Sequence, residues 1–392
     1  MITVAEAKAL IAENIASLNP LNLPIEQASR HILAADVFAK YDIPQFRQSS
    51  MDGYALRFEE KDLALQIDGE MAAGTASPLS LAPGKTARIF TGAPLPDGAD
   101  TVVMQEKVSL SEGKLTVLDD RLQEGVNVRA VGSEIKANAL AMHKGSILSP
   151  AAIGFLAGIG ITEVPVYPLP TVSIIVTGKE LQSPGEELGF GQVYESNSYS
   201  LSAALKQAGI IKVDVICADD DLEILTGILD DALKNSDVVL LTGGVSVGDY
   251  DFVLEASKRC KVNQIFHKVK QRPGKPLFFG MQGAKPVFGL PGNPSSVLSC
   301  FYNYVLPALF QMARKENPVK EIYAKLTAAY NKPSGLSHFL KGTYQNGLAT
   351  PLSAQESFRL SSFAYANCLI CLNEGVEQFE KGDHVTILLI PD

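Results

Sequence analysis

Val172-Ser173-Ile174-Ile175-Val176-Thr177-Gly178-Lys179-Glu180 decides the fold: an unbroken, largely β-branched run ends in Thr-Gly and, two residues on, an acid. A run apolar on both faces suits a central strand of a parallel sheet. Such sheets bind ligands at the carboxyl ends of their strands, which is where Glu180 falls. The stretches that follow keep the alternation. Residues 200–207 read as helix, 212–217 as strand and 222–234 as helix, and 237–241 form a second buried strand running into Thr242-Gly243-Gly244. This β-α-β-α-β order predicts a doubly wound α/β domain over residues 166–315.

Upstream, Thr3-Val4-Ala5-Glu6 reads as a capping box followed by Ala7, Leu10, Ile11 and Ile15 at helical spacing, so residues 4–16 should form an amphipathic helix. From residue 42 to 145, short β-prone runs (86–90, 101–105, 115–118) alternate with Pro and Gly clusters. They predict a β insertion at about 45–140 within an N-terminal α+β region of residues 1–165. Residues 150–157 read as helix, and a proline-punctuated connector leads into the α/β domain. Short strands and polar turns return at the end, predicting a small C-terminal β domain over 316–392. Within it Asn367-Cys368-Leu369-Ile370-Cys371-Leu372 reads as a buried strand. Its two cysteines are small buried side chains, since zinc would need a second ligand pair nearby.

Composition narrows the function. A chain of 392 residues, 46% hydrophobic and 20% charged, can bury several cores. A net charge of -9 argues against general nucleic-acid binding, so an anionic ligand would need a local basic island. Five cysteines, an odd number, do not suggest a disulfide framework. No apolar run is long enough to span a membrane and no secretory signal is evident, so cytoplasm is expected.

Three motifs could carry chemistry. After the second buried strand, Gly243-Gly244-Val245-Ser246-Val247-Gly248-Asp249-Tyr250-Asp251 can cradle a phosphate with backbone amides. It also matches the G-x-S-x-G elbow of serine hydrolases, with Ser246 as nucleophile. That alternative needs a later acid and His, and the distant candidates, His338 and His384, fall in the expected C-terminal domain. Second, Lys268, Lys270, Arg272 and Lys275 put four cations within eight residues and no acid among them. Alternation would align the first three on one strand face, and a Pro-Gly turn would present Lys275. Third, Gly289-Leu290-Pro291-Gly292-Asn293-Pro294 precedes an apolar helical stretch, with Asn293 as N-cap and Pro294 in the first turn. Acids gather at the same sheet edge: Glu180, Asp219-Asp220-Asp221 and Asp251, where Mg2+ can sit against phosphates.

These runs, taken in order with Ser50-Met51-Asp52-Gly53-Tyr54-Ala55, Thr91-Gly92-Ala93-Pro94-Leu95-Pro96, Val103-Met104-Gln105-Glu106 and Ser361-Ser362-Phe363, resemble the molybdopterin molybdenumtransferases, the MoeA proteins and the gephyrin E domain. The resemblance implies an elongated homodimer of four-domain protomers that inserts molybdate into adenylylated molybdopterin and releases AMP, with Mg2+ or alternatively Zn2+. It implies transient contact with the adenylyltransferase that supplies the substrate, and no role for nucleic acid or membrane. By position, it implies that Asp52, Glu180, Asp220, Asp251 and Lys268 are catalytic, Asp220 and Asp251 being the metal ligands. Thr91, Arg129, Glu134, Gly243, Gly244, Ser246, Arg272, Lys275, Pro291, Pro294, Lys341 and Ser362 correspond to substrate-binding positions. Departures are Lys179 and Ser133 at positions where acids are common, Glu195-Ser196-Asn197 for Asp-Thr-Asn, Arg272 for Lys, and Lys341 where an Arg contacts molybdate. An adenylyltransferase sharing the α/β domain and a non-enzymatic scaffold like the gephyrin E domain are the remaining alternatives.

Overall fold

The computed structural model describes residues 1–245 and 252–391. The chain divides into two units: Met1–Leu21 with Tyr167–Asp392, and Asn22–Val166.

The first unit opens with α1 (Val4–Asn14), whose capping box forms as expected. The Glu6 N–H donates to Thr3 Oγ1 at 3.2 Å, and the Thr3 N–H donates to the Glu6 carboxylate at 2.7 Å. The helix ends at Asn14, before the expected residue 16, because Ile15 turns extended. Ala7, Ile11 and Ile15 pack into the main core with Leu306 and Leu309. That packing joins Met1–Leu21 to the unit that holds the α/β sheet.

A six-stranded sheet forms the centre: β1 (Val172–Thr177), β2 (Val213–Ala218), β3 (Val238–Thr242), β4 (Asn263–His267), β5 (Phe278–Gln282) and β6 (Lys285–Leu290), in the order β2-β1-β3-β6-β5-β4. The first four in that order run parallel, and β5 is antiparallel to both its neighbours. Successive side chains go to opposite faces. Ile174 and Leu240 pack beneath α1 and α2 (Asn197–Gln207); Ile175 and Leu241 pack against α3 (Leu222–Asn235) and α4 (Val253–Arg259). This is the expected doubly wound layering, with an antiparallel pair added at one edge.

The basic run departs from expectation. Lys268 adopts a left-handed φ of 77°, and the only strand in the run is the two-residue Gln271–Arg272. Lys268 and Lys270 are therefore not on one strand face with Arg272; their backbones instead bond Ile2 at the start of the chain. The turn at Lys268 interrupts the period of two on which the alignment rested.

The C-terminal part closes into a barrel. Ser337–Gln345, Leu348–Pro351, Glu321–Leu326, His384–Leu389 and Cys368–Leu372 pair in that order, and the last returns to pair with the first. Cys368–Leu372 is the buried strand expected. Burial pushes both its thiols up to about 12, and three-residue spacing sends them into different cores.

In the unit Asn22–Val166, a second six-stranded sheet runs Thr101–Met104, Gly53–Leu56, Lys85–Ile89, Leu65–Met71, Lys114–Val117, Val108–Ser111. It is the expected β insertion. Ser149 caps the helix Pro150–Gly158, its Oγ accepting the Ala152 N–H at 3.2 Å. Among the described residues no helix is long and apolar enough to cross a membrane.

Candidate active site

The carboxyl ends of β1, β3 and β6 open into a cleft of about 1290 Å3. That exceeds the roughly 300–1,000 Å3 usual for small-molecule sites and admits a ligand larger than a mononucleotide. Its floor is the Gly243-Gly244 turn, which passes against the end of β1. Gly243 has φ 86°, and a Cβ there would meet Thr177 O at 2.5 Å, so only glycine brings the chain this close to the strand end.

Acids line one part of the cleft. Asp221 is spent as the N-cap of α3, its Oδ1 accepting the N–H groups of Glu223 and Ile224 at 2.9 and 3.0 Å. Its neighbour Asp220 faces the cleft, with Oδ2 accepting the Lys179 N–H at 3.1 Å. Exposed Glu180 also lines it.

Arg272 and Lys275 line another part, both exposed, on a turn fixed from beneath. Gln271 is 1% exposed; its Nε2 donates to Gly274 O at 2.9 Å, and its Oε1 accepts the Tyr304 hydroxyl. Gly274 has φ 84°, and a Cβ would meet Cys300 Sγ at 2.5 Å. Gln271 sits inside the basic run, and reading that run for charge alone missed it. The signal available was a neutral amide among four cations.

Pro291 and Pro294 lie on the remaining wall, where the helix Pro294–Cys300 begins. Asn293 occupies the N-cap position but makes no capping bond; its Nδ2 donates to Ser357 Oγ at 2.9 Å. Ser357 O in turn accepts the Ser295 N–H at 3.1 Å. These bonds clip a loop of the C-terminal barrel onto the wall and bring Phe358, 63% exposed, to the cleft. Neither Ser357 nor Phe358 stood out in the sequence.

Lys341 and Ser362 support this loop and do not line the cleft. Lys341 is 2% exposed, and its ammonium donates to Ala354 O at 2.7 Å, Arg359 O at 2.8 Å and Glu356 O at 3.4 Å. Ser362 Oγ donates to Ala354 O at 2.8 Å. Lys268 also lies off the cleft lining. Ser246 and Asp251 lie outside the described residues.

The remaining predicted residues are in the unit Asn22–Val166. Asp52 Oδ1 accepts the Thr91 N–H at 2.7 Å and the Thr91 hydroxyl at 2.8 Å. The Thr91 backbone and side-chain bonds, with nearby Arg88, hold this carboxyl below its ordinary range. Arg129 is exposed on the short strand Val128–Arg129, paired with Gln48–Ser49, and Glu134 is exposed on a loop.

His338 is buried beside Tyr330, and desolvation, aided by the charges of Arg272 and Lys332, pushes it down to about 4. His384 is exposed at the start of a barrel strand. Neither lines the cleft, so neither is positioned as the base of a triad there. Among the described residues no group of three or more His, Cys, Asp or Glu could hold a metal ion.

Comparison with known proteins accounts for this arrangement from end to end. Residues 2–160 match the MoeA N-terminal region (domain I and II), residues 173–311 a family described as "probable molybdopterin binding domain", and residues 323–390 the MoeA C-terminal region (domain IV). A molybdopterin molybdenumtransferase of Staphylococcus epidermidis is 34% identical over 400 residues, covering 99% of this chain and 95% of its own length. Molybdopterin molybdenumtransferase 2 of Mycobacterium tuberculosis is 34% identical over 404 residues, covering 99% of each chain. The crystal structure of a molybdopterin biosynthesis MoeA protein from Pyrococcus horikosii superimposes with a TM-score of 0.82 at 29% identity over 100% of both chains. The chain therefore belongs to the molybdopterin molybdenumtransferase family, transferases of molybdenum cofactor biosynthesis.

Proposed function

We propose that this chain inserts molybdenum, supplied as molybdate, into adenylylated molybdopterin and releases AMP. One observation carries the reading: Arg272 and Lys275 stand exposed in the same cleft as Glu180 and Asp220, and neither cation forms a salt bridge among the described residues. Unpaired cations in an acidic protein suit a ligand that brings its own negative charge. The substrate here carries a pyrophosphate, and its co-substrate is a dianion. Two like unit charges about 4 Å apart repel by ~4 kcal/mol at an effective dielectric of 20, so bringing these anions together requires cations fixed beforehand. Arg272 and Lys275 hold the oxyanions, and the Gly243-Gly244 turn admits the phosphates close to the strand end.

The cleft's described carboxylates are hard oxygen donors, and no His or Cys is among its lining. That set fits Mg2+, which takes one or two carboxylates together with substrate phosphates; Zn2+ is the alternative. Asp220 would hold the ion with Asp251, and the ion would supply charge neutralisation for the pyrophosphate and Lewis-acid polarisation of the bond to AMP. The dithiolene sulfurs that take up molybdenum belong to the substrate, so no protein thiolate cluster is needed. The enzyme acts in the cytoplasm as a homodimer, in transient contact with the adenylyltransferase that supplies its substrate.

The test is AMP release from adenylylated molybdopterin, with and without molybdate, in the presence of Mg2+. Molybdate-dependent release is expected. No release, or synthesis of the adenylate from ATP and molybdopterin, overturns the reading in favour of another activity.

A further inference from the structure

Phe358 lines the cleft and is 63% exposed, so a ligand there can reach it. An exposed apolar side chain is ordinary on a protein surface and by itself marks nothing. What sets this one apart is how firmly its backbone is held. On one side, the Ser357 carbonyl accepts the Ser295 N–H at 3.1 Å and the Ser357 hydroxyl accepts the Asn293 amide at 2.9 Å. On the other, the Arg359 N–H donates to Glu356 O at 3.0 Å, and the Arg359 carbonyl accepts the buried Lys341 ammonium at 2.8 Å. Both neighbours of Phe358 are pinned, so its ring is presented with little backbone freedom left to lose on binding. The Arg359 guanidinium carbon lies 5.8 Å from the ring centre, and its Nε is 3.5 Å from Glu356 Oε2. A guanidinium can cover one face of a ring and leaves the other for a ligand.

The wall that receives this loop is also apolar. Asn293, to which Ser357 is bonded, adjoins Pro294, and Pro291 lines the same wall. Tyr194 is the other aromatic side chain of the described lining, and its hydroxyl is tied to Glu186 O at 2.8 Å within its own loop. Arg272 and Lys275 account for the oxyanions of the proposed substrate but not for its uncharged rings. An aromatic side chain holds a flat heterocycle by offset stacking, which needs no charge on either partner. We infer that Phe358 stacks on a heteroaromatic ring of the substrate, and so selects for that ring while Arg272 and Lys275 hold the oxyanions. This rests on the substrate class proposed above. The pterin and the adenine both offer such a ring, and binding measurements on each separate them.

The experiment uses the full chain and two substitutions, Phe358→Ala and Phe358→Trp. The ligands, titrated separately, are molybdopterin, AMP, and two ring-free anions, ribose 5-phosphate and molybdate. Phe358→Ala should bind molybdopterin, AMP or both about tenfold more weakly, as loss of one stacking contact requires. Affinity for the ring-free anions and the melting temperature should not change. The chain has no tryptophan, so Phe358→Trp places a single indole at the cleft. Its fluorescence should be quenched by the ligand whose affinity the alanine weakened, which identifies the ring. Tyr323→Trp, at a 76% exposed position that does not line the cleft, corrects for light absorbed by the ligand. Unchanged affinity of Phe358→Ala for both ring ligands overturns the inference. So does an equal loss for all four ligands, which would mean that the loop as a whole had moved. Weakened binding with no quenching beyond that of Tyr323→Trp overturns it too, since the contact would then not be a stacked one. If the wild-type chain binds neither molybdopterin nor AMP, the substrate reading falls first and this inference with it; wild-type binding with no effect of the alanine removes the inference alone.

Discussion

The cleft and the Asp52–Thr91 turn both contain charged residues at family positions, but they treat charge in opposite ways. In the cleft, Arg272 and Lys275 are exposed on a turn braced by Gln271, with their charged ends unpaired by any carboxylate among the described residues. In the other unit, Asp52 already accepts two hydrogen bonds from Thr91, which keep it ionised. Lys341 is a more extreme case of the second kind: buried, with its ammonium shared among three carbonyls. Residue type alone does not mark a ligand contact. A charge its own chain has satisfied shapes the fold, whereas a braced charge left free is available to a ligand.

The largest effect should come from removing the free cations. Arg272→Ala with Lys275→Ala deletes two charge-assisted contacts, each worth about 1.5–3 kcal/mol. Affinity for adenylylated molybdopterin should fall about a hundredfold or more, with little change in melting temperature because neither side chain is buried. A titration of the double variant that matches wild type would break the comparison at its main point.

Lys341→Met should show the reverse pattern. Removing the ammonium takes the Lys341 donor from the carbonyls of Arg359 and Ala354, the latter keeping only Ser362 Oγ, and should cost about 1–3 kcal/mol of stability, read as a lower urea midpoint. Because those carbonyls belong to the loop that carries Ser357 and Phe358 to the cleft, substrate affinity should weaken as well, by less than in the cation variant. Unchanged stability with a severe loss of molybdate binding would instead make Lys341 a direct ligand.

Elements whose information is local were legible in the sequence. The run 172–177 is apolar at every position but Ser173 and Thr177, and it could only be a buried strand; Thr3 and Glu6 declared the start of α1 by spacing alone. Glu180, Asp220 and the 243–244 glycines fell at strand ends, and strand ends of one parallel sheet converge. What stayed hidden depends on contacts distant in sequence. Nothing around Lys341 announces that its partners come from residues 354–359, and Ser357 is clipped to the cleft wall by Asn293 and Ser295, the former 64 positions away. The Lys268 turn was hidden for a different reason: alternating charges look the same whether or not the chain stays extended, and a left-handed residue between them leaves no compositional trace.

His338 offers the smallest and most discriminating test, because it reports on Arg272 from inside the barrel. Its imidazole is held neutral down to about 4 chiefly by burial, with the positive charges of Arg272 and Lys332 acting in the same direction. An unfolded histidine takes up its proton near 6.5, so between about 6.5 and 4 the unfolded chain binds more protons at this site than the folded one. Stability should therefore decline as pH falls through that window and level off below about 4, and a His338→Gln variant should decline less. The Arg272→Ala variant sharpens the point. Removing one of the two repelling charges should raise the folded His338 value towards 6.5 and make the acid loss smaller, since burial remains and only the electrostatic part is relieved. Urea midpoints for wild type and both variants at pH 7 and pH 5 measure this directly. If Arg272→Ala leaves the pH dependence as it was, the Arg272 charge is screened from His338, and the free cation of the cleft exerts its field only on what enters from solvent.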